Sequence, residues 1–135
     1  MSMKGSSDVA RGWAEDYRGY GIVVEASRRK SGPFKSSFTL TIAADGVPLR
    51  TFRNERVPGR FISEEHAWKA TISAARGYID ALIASMTTTE VTWLRSLCAG
   101  SDPPPEIGRH FVALGLAVDV DGALKATDAA RQLTA

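Results

Sequence analysis

Eight basic side chains crowd between positions 28 and 60 of this 135-residue sequence: Arg28, Arg29, Lys30, Lys35, Arg50, Arg53, Arg56 and Arg60. Over residues 18–60 the local net charge is +6, although the whole chain carries only +2. Guanidinium and ammonium groups at this density suit phosphate, and each phosphate contact adds salt dependence to binding. Trp13, Tyr17 and Tyr20 lie just upstream, where aromatic rings either stack on bases beside a basic rim or cover a sheet edge. The basic set is therefore the candidate binding site, with nucleic acid as its first expected partner. A protein partner docking on an exposed strand edge or an acidic hairpin is the rival.

No other residue type is spaced for a reaction. His66 and His110 are far apart, and neither has a histidine or cysteine at ligand spacing, so no metal is expected. Cys98 follows Leu94 at helical spacing, the position of a buried thiol, and a single cysteine excludes an internal disulfide. Glu64-Glu65 suits the positive end of a helix dipole, which explains that carboxylate pair without catalysis. Gly19-x-Gly21 lies at a strand start and lacks the helix that a phosphate loop requires. The sequence thus predicts a binding protein without catalytic residues, metal or cofactor.

The basic set must be carried by strands. From Tyr20 the apolar residues alternate (Tyr20, Ile22, Val24, Ala26), and so do Phe34, Ser36, Phe38, Leu40 and Ile42 after the polar loop 27–33. Asp45-Gly46 marks a hairpin turn into a third strand, Leu49 to Arg53. If the loop between the first two strands lies near the segment after the third, the basic residues form one rim. Such a sheet needs a cover. Ser63 caps a helix whose Trp68, Ile72, Ala75, Ile79, Leu82, Ile83 and Met86 form one apolar stripe, with Lys69, Ser73, Arg76 and Asp80 on the solvated side.

Beyond Thr87 the pattern changes. Thr87 to Glu90 fits a capping box, and Val91, Leu94, Leu97 and Cys98 make the stripe of a short helix ended by Gly100. Pro105 suits the first turn of another helix, with Ile107, Phe111 and Leu114 inward. A hairpin turning at Asp121-Gly122 then leads to a helix capped by Thr127. At the other end, Met1 to Gly12 is polar, carries Lys4, Asp8 and Arg11, and reads as a tail rather than a signal peptide, with one helical turn over Val9–Asp16.

Leu114-Gly115-Leu116, Asp121-Gly122 and Leu124-Lys125-Ala126-Thr127 resemble the closing half of a bacterial winged-helix domain, in which a helix ends in that pattern and a two-stranded wing leads to a final helix. That resemblance implies DNA approached by a recognition helix and a wing. The matching helix here offers Glu106, Arg109 and His110, and the wing Asp119 and Asp121. Residues 87–135 hold four basic against six acidic side chains, a balance that repels phosphate. Arg50-Thr51-Phe52 followed by Phe61 to Ala67 is similar to plant ethylene-response-type DNA-binding domains, which lay a three-stranded sheet in the major groove. On the exposed face inferred here are Lys35, Ser37, Thr39, Thr41 and Arg53. The sheet-then-helix order also resembles double-stranded-RNA-binding domains, with Glu64-Glu65 where those carry basic residues, and small bacterial βββα domains of unknown function.

The expectation is an α+β protein: a three-stranded antiparallel sheet covered by a long helix, then a helix–helix–hairpin, wing-like unit and a short terminal helix. Residues 1–16 form a tail, 17–86 a βββα domain and 87–135 the winged-helix-like unit. With 44% hydrophobic and 24% charged residues and no apolar run long enough to span a bilayer, a cytoplasmic protein without a membrane partner is expected.

Overall fold

Strict alternation places Tyr20, Ile22, Val24 and Ala26 of one strand, and Phe34, Phe38, Leu40 and Ile42 of the next, on one buried face. The computed structural model describes residues 8–29 and 32–135. It shows an antiparallel meander of four strands, β1 (Asp8–Tyr17), β2 (Tyr20–Arg29), β3 (Phe34–Ala44) and β4 (Val47–Phe61), paired in that order. The three-stranded expectation is corrected here. The tail over 1–16 and its helical turn give way to β1 from Asp8 onward; residues 1–7 lie outside the described residues.

The reason β1 reads poorly is physical. Val9, Trp13 and Tyr17 recur every fourth residue, which mimics a helix, and the strand's helix-side face carries Glu15 between Trp13 and Tyr17. A two-residue turn at Arg18-Gly19, both with positive φ (52° and 86°), closes the β1–β2 hairpin, the same geometry that Asp45-Gly46 provides for β3–β4. The fourth strand also runs farther than Leu49–Arg53. Over its 15 residues the burial pattern is almost uniformly exposed, so no alternation announces it.

The long helix α1 (Glu64–Ala84) begins at Ser63, whose side chain accepts from the backbone N–H of His66 at 3.1 Å. It lies across β2, β3 and β4 and buries Ala67, Ile72, Ala75, Ile79 and Leu82 against them. Inside this layer the Ser36 and Thr71 hydroxyls bond each other, and Thr71 donates to the Ala67 carbonyl at 2.7 Å, so these two buried hydroxyls are satisfied.

After the capping box at Thr87 and Glu90 come α2 (Thr88–Cys98), α3 (Pro105–Ala113), the hairpin β5 (Ala117–Val120) and β6 (Ala123–Ala126), and α4 (Asp128–Leu133). These elements share one core with the sheet: Leu94, Leu97, Phe111 and Leu116 belong to the same buried cluster as Tyr20, Leu40 and Ile42. The fully buried Tyr20 donates its hydroxyl to the Leu114 carbonyl at 2.6 Å, and burial holds that phenol well above its usual ionisation range. Asp128 accepts from the backbone N–H groups of Asp45 and Gly46 at 2.7 and 2.9 Å, fastening the β3–β4 turn to α4. Gly19 meets the same helix so closely that a Cβ there would stand 2.5 Å from the Ala129 Cα. Thr127 occupies the N-cap position of α4, yet its buried hydroxyl donates to the Gly115 carbonyl at 2.9 Å and accepts no hydrogen bond from the first N–H groups of the helix. Among the described residues no helix is long and apolar enough to cross a membrane.

Candidate nucleic-acid interface

Sheet register separates the eight basic residues into groups. β2 ends, β3 begins and β4 ends at one end of the sheet, so Arg28, Lys35 and Arg60 gather there. Lys35 pairs with Ser27 and Arg56 with Ser37, which puts both on the sheet face opposite α1 as diagonal neighbours, about 7–8 Å apart by strand geometry. Among the described residues no ion pair forms at Lys35, Arg56 or Arg60.

The remaining basic residues are placed differently. Arg28 turns to the helix side, its guanidinium 4.8 Å above the Phe34 ring and its Nε buried without a hydrogen-bond partner. Arg53 also lies on the helix side, 5.2 Å from the Tyr78 ring and 3.2 Å from Glu55. Arg50 pairs with Ile42 and sits toward the opposite end of the sheet, near the Asp45 turn. Arg29 closes β2, and Lys30 lies outside the described residues. Of the basic side chains described, Lys35, Arg56 and Arg60 thus lie together, with Arg28 behind them; the Arg29 side chain and Lys30 lie outside what is described.

Around the trio the open face of the sheet is small and polar: Ser37, Thr39 and Thr41 on β3, and Asn54 on β4, whose amide donates to the Thr39 hydroxyl at 2.6 Å. Among the described residues no helix covers this face. The aromatic residues read as possible stacking partners point elsewhere. Tyr20 is fully buried, while Trp13 and Tyr17 lie on the helix side of β1.

That placement forms a second feature, an open cleft of about 660 Å³ between β1 and α1. The indole of Trp13 rests against that of Trp68. Arg76 makes two bonds of 2.8 Å to the Glu15 carboxylate, and Tyr17 donates to Asp80 at 2.8 Å. Arg76 and Asp80, expected on the solvated side of the helix, instead face β1. The Asp80 bond raises the Tyr17 phenol above its ordinary pKa, and the Glu15 bonds raise that of Arg76. The sequence signal for this cleft was the cluster of aromatics before Tyr20; its polar half depends on a strand that alternation does not reveal.

The two histidines are unconnected. His66 is exposed near the start of α1, and His110 pairs with Glu90 at 3.0 Å across α2 and α3. Glu90 accepts from the Thr87 backbone N–H at 2.8 Å, and this bond, with the nearby His110, holds its carboxyl below the usual range. Cys98 is half-buried, with the Thr134 hydroxyl 3.6 Å from its sulfur. Among the described residues no three His, Cys, Asp or Glu side chains are grouped to hold a metal ion. On α3 and the β5–β6 hairpin, Glu106, Arg109, Asp119 and Asp121 are exposed, so the wing-like unit presents mixed charge with an acidic tip. No family model, curated protein or solved structure matches the chain.

Proposed function

We propose that this protein is a non-enzymatic binding module that engages nucleic acid through the open face and loop end of its four-stranded sheet. The observation that carries the reading is the trio Lys35, Arg56 and Arg60, exposed on adjoining strands with no acidic partner among the described residues. Phosphate neutralisation is the chemistry such a trio supports, and the serine, threonine and asparagine hydrogen-bonding groups beside it suit phosphate and sugar contacts. Tyr20 is buried and Trp13 and Tyr17 lie on the helix side, so none of these three rings adjoins the trio, and the interaction proposed is electrostatic and indifferent to sequence. The exposed Asp119 and Asp121 of the wing-like hairpin favour an anionic strand on the sheet over one on that unit.

Fluorescence anisotropy of labelled duplex DNA, single-stranded DNA and RNA at low and near-physiological salt tests this. Binding that weakens with salt and is lost in the Lys35→Glu, Arg56→Glu double variant supports it. Absence of binding at low salt, or binding indifferent to the charge reversal, rejects it.

A further inference from the structure

We propose that the cleft between β1 and α1 takes an extended, uncharged segment of a partner protein, which adds to the free edge of β1 as a fifth strand. Among the described residues β1 pairs with β2 alone, on one side. The Arg18-Gly19 turn has two central residues, so Tyr17 and Tyr20 form a hydrogen-bonded pair, and the ladder then alternates. Tyr17, Glu15 and Trp13 accordingly spend their backbone groups on β2. Asp16, Ala14 and Gly12 direct their N–H and C=O groups to the open edge, where an incoming strand finds donors and acceptors in register.

The cleft's own charges set the chemistry of the occupant. Glu15 is bound by Arg76, Asp80 by Tyr17 and by Arg18 at 3.4 Å, and Lys69 by Glu65 at 3.4 Å. A charged ligand would have to break one of these pairs, whereas an uncharged chain leaves them intact and lays alternate apolar side chains on Trp13, Trp68 and Ile72. Tryptophan in a partly open site is a common anchor of binding energy. Gly77 points the same way. Glycine weakens a helix interior, and a Cβ at position 77 would meet nothing within 4 Å, so packing inside the protein does not call for it. It lines the cleft and lets a partner backbone approach the helix. The span from Trp13 to Tyr17 accommodates about five residues of extended chain.

The test is selection of a random heptapeptide library displayed on phage against the intact protein, followed by anisotropy with the enriched peptides. The expected result is enrichment of uncharged sequences with apolar residues at every second position. Their binding should fall at least tenfold in Ala14→Pro, which removes an edge N–H without touching the β1–β2 ladder, and in Gly77→Leu, which fills the cleft from the helix side. Should Ala14→Pro fail to fold by circular dichroism, Gly77→Leu alone decides. No enrichment, enrichment of charged sequences, or binding unchanged in Gly77→Leu overturns the proposal. So does sedimentation showing a dimer that Ala14→Pro dissociates, because the edge then belongs to a second copy of the chain. Lys35 and Arg56 lie on the other sheet face, so loss of nucleic-acid binding and loss of peptide binding are separate outcomes.

Discussion

The two edge strands of one sheet differ in build. β4 is long, almost wholly exposed, interrupted by Pro48 and Pro58 and irregular in its pairing with β3, and it carries Arg50, Arg53, Arg56 and Arg60. Prolines, bulges and positive charge are the devices by which an edge resists another strand. β1 carries none of them from Gly12 to Tyr17, and its Glu15 is neutralised by the helix. The two proposals rest on this contrast: β4 carries four arginines along its edge, whereas β1 from Gly12 to Tyr17 carries no proline, bulge or cation and lies beside the Trp13 and Trp68 indoles.

The difference can be broken most severely at the Arg18-Gly19 turn. Gly19→Ala adds a Cβ 2.5 Å from the Ala129 Cα at a φ of +86°, and should cost about 3 kcal/mol of stability in urea unfolding, releasing the β1–β2 hairpin from α4. A loss well under 1 kcal/mol would mean that the turn and α4 are not in contact. Next in size is the charge reversal Lys35→Glu with Arg56→Glu, expected to weaken nucleic-acid binding about tenfold or more at low salt and to reduce the salt slope by roughly one per phosphate contact removed. Ala14→Pro on the other edge should leave that binding unchanged, and an equal loss there would erase the distinction between the edges.

A smaller effect is expected at the β4 side of the core. Asp128→Ala removes two bonds to the Asp45 and Gly46 N–H groups, and should cost about 1 kcal/mol in the same unfolding measurement, because both donors remain open to water. The smallest lies away from both edges. The Glu90 carboxyl is held below its unfolded value, so its stabilisation is present above the unfolded pKa of about 4.3 and lost as pH falls through the lowered folded value. Urea midpoints measured downward from pH 5 should decline less steeply in Glu90→Gln than in the parent protein; identical slopes would show that the carboxylate does not report on the α2 cap.

How much of this was legible follows the same divide. β2, β3, α1, the Thr87 capping box and the Asp-Gly turns announce themselves because their residues repeat at two or 3.6 positions, or match a turn's dihedral demands. β1 does not, because Glu15 interrupts its inward face. Most of β4 does not, because an edge strand exposed on both sides needs no alternation. The basic residues were identifiable as a group, but their division into Lys35, Arg56 and Arg60 on the open face and Arg28 and Arg53 on aromatic rings depends on strand parity and bulges.

Residue order alone therefore established the chemical inventory: a positive strand region, an acidic C-terminal region, no metal-ligating spacing, and an α+β alternation of local periods. Tertiary contact settled which groups meet. Glu15 finds Arg76 across 61 positions and Asp45 finds Asp128 across 83, contacts that local periodicity cannot encode because they depend on how separately formed elements pack. Whether a polar residue is solvated or paired inside a cleft is fixed by the neighbour across the layer, and that neighbour exists only once the sheet and helices have closed around a common core.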